Sequence, residues 1–546
     1  MESFNVAHAL TQRATNEPFR PAVILPAGRD RNGRGRFSQY SFAQLNALCD
    51  RYARGISDYG VRPGQRVLLM IRPGIELIAV VFALMKMGAV PVLIDPGMGR
   101  KAFLQCVSES EADALIGIPI AHLMRRLFAK RFTRVSRAVV IGHRGFLGAV
   151  PLEALAPVQA SFDAVDSNPE DAAAIAFTSG STGIPKGVVY SHGVFRAQVE
   201  TMRKDMDIRE GDVHLSAVYI FALFNPALGV TTVIPDMDPA QPARVNPAYL
   251  VETVQTFGVT FSLGSPTIWR QVAYYCGEQA IQLPSLRQIF MFGAPCPPEL
   301  VEQCAALLPN GRVYTPFGAT EALPLTLIDD REIVNDTSAK TENGDGVCVG
   351  RPIGDADIRI IPISDEPIKQ WDEALALPLE TMGEIVVKGA VVTREYLHRP
   401  EQTALAKIPD KQGFWHRMGD IGYLDASGRL WFCGRKSHRV ETTRGLMLPV
   451  PCEAILNRHP AVLRTALVGV GDYGNQRPVL VVEARGRLSG SARERLRRDL
   501  ILFAATHALT QDIDTVLFHG PFPVDVRHNA KIQREKLAHW AAEQLT

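Results

Sequence analysis

Short runs of β-branched and apolar residues alternate with segments of helical periodicity over the first 350 residues. Each run is followed by a turn and then by an amphipathic segment of ten or more residues, as at 298–308. This alternation favours mainly parallel sheets that helices cover on both faces, with ligands at the carboxyl ends of the strands. The predicted strands are 66–71, 90–95, 114–118, 138–141, 174–177, 230–235, 259–264, 288–292 and 312–316.

The pattern changes after about residue 350. Strands predicted at 358–363 and 383–388 lie between Pro- and Gly-rich turns without long helices, which indicates a small antiparallel or barrel-like unit. Strands and helices alternate again beyond a Gly-Arg break at 434–438. A chain of 546 residues exceeds one hydrophobic core, so we predict at least two domains with a boundary at this break.

Composition excludes several classes of function. The net charge of +2 offers no bulk attraction for nucleic acid. Eight scattered cysteines without a Cys-x-x-Cys pair favour reduced thiols in a cytoplasm over a zinc knuckle or a disulfide framework. The N-terminus lacks the pattern of a signal peptide, and the apolar stretch 75–90 is interrupted by Glu76 and Lys86. We therefore predict a cytoplasmic protein that is not transmembrane, with a buried helix at 75–90.

One local charge cluster stands out within this neutral chain. A membrane surface or an acidic partner is one interpretation of it, and a solvated helix face is the preferred one. The cluster comprises Arg125, Arg126, Lys130, Arg131, Arg134 and Arg137.

A loop rich in glycine and hydroxyl groups, FTSGSTGIPKG at 177–187, follows the apolar run 172–177. Its glycines permit positive φ and close approach of the backbone, and Lys186 adds a cation. These features predict a polyphosphate-binding loop, although no Gly-Lys-Ser/Thr closes it as in a Walker motif. The alternative is a surface turn. The predicted phosphate-contacting residues are Thr178, Ser179, Gly180, Ser181, Thr182, Gly183 and Lys186.

This loop resembles the phosphate loop of the adenylate-forming superfamily, which contains acyl-CoA synthetases, luciferases and peptide-synthetase adenylation domains. Further motifs resemble that superfamily in the same order along nearly the whole chain: Gly293-Ala294-Pro295, YTPFGATE at 314–321, WHRMGD at 415–420, Gly434-Arg435 and NAKI at 529–532. The resemblance implies an α/β fold with a large N-terminal domain of α/β sheets plus a small distorted β-barrel, hinged to a small C-terminal α+β domain. The implied bounds are 1–434, a hinge at 435–438, and a mobile lid at 439–546.

The resemblance also implies ATP and Mg²⁺, and an acyl-adenylate intermediate. Glu321 would bind Mg²⁺ through hard carboxylate oxygens, and Thr320 would donate to a phosphate. Phe317 and Gly318, with the 293–295 turn, would flank adenine. The alternative for Glu321 is a surface carboxylate at a helix N-terminus.

Three further residues would complete the site. The Asp420 carboxylate would accept both ribose hydroxyls, and Arg435 would bind ribose or phosphate from the hinge. Lys531 would be the catalytic cation, carried by the C-terminal domain. The alternatives are a turn aspartate, a surface arginine and an exposed lysine at a helix start.

Three segments resemble more closely the β-lactone synthetases of bacterial long-chain olefin biosynthesis. They are FALFNPALGVTTVIPDMDP (221–239), LWFCGRK (430–436) and DVRHNAKI (525–532). They imply a long-chain 2-alkyl-3-hydroxy acid as substrate, its conversion with ATP to a β-lactone, AMP and pyrophosphate, and a possible multi-enzyme olefin-biosynthesis assembly. Ser437 and His438 depart from the usual hinge, which favours a reaction without coenzyme A, with neutral drift as the alternative. The alternatives are a long-chain acyl-CoA synthetase and a nucleotide-sensing or assembly subunit without chemistry.

The base for ring closure is open. His192 is a candidate, with a structural helix-capping histidine as the alternative, and Asn225 stands where many relatives carry histidine. The candidate acyl-pocket residues, each with plain core as its alternative, are Ile220, Phe221, Phe224, Leu228 and Met291.

Overall fold

The computed structural model describes residues 4–178, 185–238, 241–524 and 531–545. Its α-helices are α1 Ala7–Asn16, α2 Phe42–Asp58, α3 Ile75–Lys86, α4 Arg100–Ser110, α5 Pro119–Leu127, α6 Leu152–Leu155, α7 His192–Lys204, α8 Asn225–Leu228, α9 Pro247–Phe257, α10 Pro266–Glu278, α11 Pro298–Ala305, α12 Ser338–Glu342, α13 Pro400–Ala406, α14 Pro449–Leu456, α15 Gly490–Ala504 and α16 Arg534–Leu545.

A seven-stranded sheet runs in the order β7-β6-β5-β3-β4-β8-β9. Its pairs are parallel except for the antiparallel pair β8–β9. Its strands are β3 Arg66–Met70, β4 Val90–Ile94, β5 Ala114–Gly117, β6 Arg137–Val140, β7 Val150–Pro151, β8 Ala172–Thr178 and β9 Lys186–Ser191.

The larger sheet runs in the order β17-β18-β20-β21-β16-β15-β14-β13-β12-β10-β11-β1-β2, and β19 pairs with β20. The segment from β14 to β1 is parallel, whereas the strands from β14 through β17 pair antiparallel. Its strands are β1 Pro21–Arg29, β2 Gly35–Ser41, β10 Val213–Ser216, β11 Thr231–Val233, β12 Phe261–Gly264, β13 Gln288–Met291, β14 Arg312–Ala319, β15 Ala322–Asp329, β16 Val347–Pro352, β17 Asp357–Ile361, β18 Gly383–Lys388, β19 Lys407–Asp410, β20 Gly413–Leu424 and β21 Leu430–Arg435.

The predicted α/β class is therefore confirmed, and so is the predicted antiparallel pairing of the strands after residue 350. The antiparallel strands continue the large sheet through the β15–β16 pair. One apolar core packs α1, α2 and α3 together with residues of both sheets, among them Val67, Leu69, Phe261 and Phe290. These helices therefore share one core with strands of both sheets.

Helix α3 buries the lysine that interrupts the apolar stretch 75–90. Lys86 is fully buried, and its Nζ lies 2.5 Å from Oδ1 of Asp50 on α2. Pairing offsets part of the cost of burying these two charges. No helix in the described part of the chain is long and apolar enough to cross a membrane.

Two smaller sheets follow β21, with strands β22 Val440–Thr442, β23 Gly445–Met447, β24 Val462–Val470, β25 Arg477–Ala484 and β26 Thr515–Phe518. Two apolar clusters consist entirely of residues from Val440 onward. Separate cores on this side support a boundary near 435–438, and the exact domain bounds stay a prediction.

Candidate active site

One large cleft, of about 4090 Å³, collects residues that are far apart in the sequence. It opens beyond the carboxyl ends of β13 and β14, where ligands bind in such sheets. The predicted site residues that line it are Lys186, Gly293, Ala294, Pro295, Phe317, Gly318, Thr320, Glu321, Arg435 and Lys531.

The predicted phosphate loop lies between the antiparallel strands β8 and β9. Thr178 and Lys186 are register partners at its two ends, so Lys186 is held where the loop leaves the sheet. The loop positions Ser179, Gly180, Ser181, Thr182 and Gly183 lie outside the described residues, and their role stays a prediction.

A tyrosine orients the Glu321 carboxylate. The Tyr396 hydroxyl donates to Oε1 of Glu321 at 2.7 Å, and Lys186 Nζ lies 4.7 Å from the centroid of the Tyr396 ring. Burial, and then the Glu321 charge, raise the pKa of Tyr396, so its hydroxyl keeps its proton. Burial lowers the pKa of Lys186, and Glu321 opposes that shift. A fixed carboxylate and a desolvated cation thus face the same cleft.

Two hydrogen bonds to backbone carbonyls fix the Thr320–Glu321 turn. The Tyr190 hydroxyl donates to the Thr320 carbonyl at 2.6 Å, and the Thr393 amide donates to the Glu321 carbonyl at 2.8 Å. A Cβ at Gly318 would lie 2.7 Å from the carbonyl oxygen of Ala322, which explains glycine there. These bonds pre-organise the turn that presents Glu321.

Lys407 is a buried cation behind this turn. Its Nζ donates to the Thr393 carbonyl, and burial lowers its pKa to about 7 while Glu321 opposes the shift. Sequence reasoning missed Tyr190, Tyr396 and Lys407 because they belong to none of the matched motifs. Only the folded chain brings them to Glu321.

Asp420 lies almost fully buried on β20 and does not itself line the cleft, whereas its chain neighbour Gly419 does. Its Oδ1 is 2.8 Å from Nη1 of Arg435, its register partner on β21, yet accepts no well-aligned hydrogen bond within the described part of the chain. Burial raises the pKa of Asp420 to about 6, Arg435 opposes the shift, and Glu321 adds to it. This oxygen retains acceptor capacity for a ligand hydroxyl.

An aromatic and a glycine turn form another wall. The Phe317 ring lies 6.0 Å from the Phe432 ring, and both residues line the cleft. Gly293 is exposed at φ +85°, in the left-handed region that glycine adopts without strain. That these residues hold adenine stays a prediction.

Lys531 precedes α16 and lines the cleft. Its neighbours are fixed by an ion pair and a hydrogen bond: Arg534 Nη2 lies 2.6 Å from Oε2 of Glu453, and His438 Nε2 lies 3.1 Å from Oε1 of Glu535. The hydrogen bond ties the predicted hinge to the helix that follows Lys531.

The structure places two polar candidates away from the cleft. Nδ1 of His192 accepts a hydrogen bond from the Val6 amide at 3.2 Å, and burial lowers the His192 pKa to about 4. His192 does not line the cleft, which supports a structural role over a role as base, although the cap of α7 is Ser191 and not His192. Asn225 is likewise buried, and its Nδ2 donates to Oγ1 of Thr232 at 2.7 Å.

The cleft continues into an apolar region. Ile220, Phe221, Phe224 and Met291 line it, as the acyl-pocket hypothesis requires, whereas Leu228 is core. Further apolar residues on α3 and α7 that sequence reasoning missed also line it: Leu77, Ile78, Val81 and Met202. The sequence predicted a buried helix at 75–90, which includes Leu77, Ile78 and Val81, but not that these residues face a cavity.

The protein groups available to Mg²⁺ at the cleft fit an ion that is bound mainly through the phosphates of ATP. Within the described ranges no group of three His, Cys, Asp or Glu side chains could hold a metal ion. Glu321 lines the cleft with Lys186 and offers one carboxylate there, and Mg²⁺ in nucleotide sites commonly takes one or two carboxylates plus phosphate oxygens and water.

The fold is that of the adenylate-forming enzymes. An O-succinylbenzoate coenzyme A synthetase from Bacillus subtilis, solved in complex with AMP, superposes with a TM-score of 0.75 over 97% of both chains at 21% identity. The model of the AMP-binding enzyme family matches residues 10–397.

Two relatives match essentially end to end. The olefin beta-lactone synthetase of Xanthomonas campestris pv. campestris is 44% identical, covering 99% of this chain and 98% of the relative. The enzyme of the same name from Stenotrophomonas maltophilia is 43% identical at the same coverage. The chain belongs to the AMP-binding enzyme family, in the group of the olefin beta-lactone synthetases.

Proposed function

We propose that this chain adenylates a long-chain 2-alkyl-3-hydroxy acid with ATP and then closes it to a β-lactone. The observation that carries the proposal is that Lys186, Glu321 and Lys531 line one cleft together with an apolar wall. The full-length identity to olefin beta-lactone synthetases supports the same reaction.

In the first step a substrate carboxylate oxygen attacks the α-phosphorus of ATP, and pyrophosphate leaves. Negative charge accumulates on the phosphate oxygens, so the protein contributes positioning and electrostatic stabilisation. Lys186 is a desolvated cation whose charge Glu321 favours, and Lys531, which lines the same cleft, would supply a second cation. Asp420 would accept the ribose hydroxyls, and Phe317 with the Gly293–Pro295 turn would hold adenine.

Mg²⁺, when bound, would neutralise phosphate charge. Glu321 would hold it, because its carboxylate faces the cleft and is oriented by Tyr396. Thr320 contributes a hydroxyl on the same turn, whose backbone Tyr190 fixes.

In the second step the substrate 3-hydroxyl attacks the activated carbonyl. The new C–O bond closes a four-membered ring, AMP leaves, and the hydroxyl proton passes to a base. Ring strain opposes closure, while the acyl-phosphate bond and the intramolecular geometry offset it. The apolar wall would keep water from the adenylate.

The test is incubation with ATP, Mg²⁺ and a synthetic 2-alkyl-3-hydroxy acid without coenzyme A. We expect AMP, pyrophosphate and β-lactone in equal amounts. The matched 2-alkyl acid that lacks the hydroxyl should form no lactone. Strict dependence on coenzyme A would support an acyl-CoA synthetase instead, and no turnover across a panel of acids would support a non-catalytic subunit.

We also infer a cytoplasmic location and a place in a multi-enzyme olefin-biosynthesis assembly. The names of the relatives and the scattered cysteines support these inferences. Co-purification of the untagged chain with other enzymes from its own cells would test the assembly, and recovery as a free monomer would contradict it.

A further inference from the structure

The segment from residue 114 to 152 contains seven Lys or Arg residues and no Asp or Glu. The whole chain has a net charge of only +2, so this is a strong local excess. The segment includes α5 and the turn after it, at one edge of the seven-stranded sheet.

Part of this charge is used inside the fold. Arg134 pairs with Glu111 at 3.0 Å, and the Arg137 guanidinium donates to the Tyr59 carbonyl at 3.1 Å. Arg126 and Lys130 are exposed and make no ion pair within the described residues. These two cations remain available to an anionic partner.

The same helix leaves apolar side chains in water. Ile120, Leu123 and Leu127 are 53%, 38% and 67% exposed, while Ala121 and His122 face the sheet. A purely solvated basic helix would account for Arg126 and Lys130 but not for three large exposed aliphatic residues. A mixed cationic and aliphatic face is typical of a helix that lies at a lipid interface.

This face is continuous with the cleft. Ile120 and Met124 of α5 line the cleft, and so do the exposed cations Arg72 and Arg100. The apolar lining of the cleft therefore reaches the protein surface near the exposed cations Arg72 and Arg100.

We infer that α5 and its following turn dock on an anionic lipid surface, with Arg126 and Lys130 at the headgroups and Leu123 and Leu127 among the upper acyl chains. Basic side chains are attracted to anionic lipids, and a short apolar face adds reversible insertion. We also infer that the docked cleft takes up its acid substrate from the lipid, and this part rests on the proposed function. The docking of α5 on the lipid surface does not depend on the proposed function.

The test uses the full chain and vesicles of phosphatidylglycerol or phosphatidylcholine in co-sedimentation. We expect preferential binding to phosphatidylglycerol that weakens as salt rises. Arg126→Glu with Lys130→Glu should weaken it at least about ten-fold. Arg495→Glu with Arg498→Glu, an equal charge change on exposed positions of α15, should leave it unchanged.

Leu127→Ser should weaken vesicle binding without any charge change. Equal vesicle binding by the wild type and the Arg126/Lys130 variant, or no binding to phosphatidylglycerol at low salt, would overturn the inference. Lactone formation from a short, water-soluble hydroxy acid should be the same in all these variants, so failure of the docking inference is distinguishable from failure of the proposed reaction.

Discussion

Asp420 and Arg435 face each other on neighbouring strands, with Oδ1 and Nη1 2.8 Å apart, and Arg435 lines the cleft. The carboxylate is buried and its pKa is raised to about 6, although Arg435 favours the charged form. Its ionisation therefore changes in an accessible range of pH.

We predict that nucleotide affinity falls as pH drops through about 6. The ionised carboxylate accepts two hydroxyl hydrogen bonds, and protonation removes part of that capacity. The Asp420→Asn variant should bind adenosine about ten-fold more weakly, and its affinity should be flat between pH 5 and 7. Calorimetry with adenosine avoids titration of a ligand phosphate. If adenosine affinity changed equally with pH in the wild type and in Asp420→Asn, Asp420 would be excluded as the source of the pH dependence.

Tyr396→Phe should raise the Mg²⁺ concentration needed for half-maximal pyrophosphate release by about 10-fold or more. The hydroxyl orients the Glu321 carboxylate at 2.7 Å, and loss of such an outer partner typically costs 10–100-fold in metal affinity. Tyr190→Phe is the matched control, since its hydroxyl bonds the Thr320 carbonyl and not the carboxylate. An equal Mg²⁺ shift in both variants would contradict this assignment.

Lys531→Ala should lower the rate of pyrophosphate release by about 10²–10³-fold with little change in thermal stability. The residue lies at the cleft, exposed, before the first turn of α16. Arg495→Ala removes an exposed cation from the same part of the chain and should retain wild-type turnover. Wild-type pyrophosphate release from Lys531→Ala would remove this lysine from the mechanism.

Lys407→Met should change how stability depends on pH. Burial lowers the folded-state pKa of Lys407 to about 7, so between about pH 7 and 10 the unfolded chain binds the extra proton. The lysine therefore destabilises the fold most near or below pH 7, and the penalty shrinks as pH rises. The free energy of unfolding of the wild type, minus that of Lys407→Met, should rise with pH by up to about 1.4 kcal/mol per unit.

Denaturant unfolding of both proteins at pH 7, 8 and 9 measures this difference. Lys388→Met is the control, because that lysine pairs with Asp410 at 2.5 Å nearer the surface. A difference that stays constant over this range would show that Lys407 keeps its ordinary pKa.

Much of the fold follows from local sequence. Alternating strands and helices predicted the parallel segments, and Pro/Gly-rich turns predicted the antiparallel strands after residue 350. These predictions succeed because hydrophobic periodicity and turn residues act over a few positions. The same local motifs singled out Lys186, Glu321 and Asp420.

Tertiary structure decided the rest. Tyr396 and Lys407 acquire their relation to Glu321 through strand pairing and side-chain contacts across 75 positions or more, for which the chain carries no local signal. His192 and Leu228 looked like site residues beside the motifs, yet packing turned both into the interior. The sequence by itself determined which chemistry the chain carries, because a motif names its functional groups. Only the fold decided which of those groups share a cleft, because burial and direction of a side chain depend on everything packed around it.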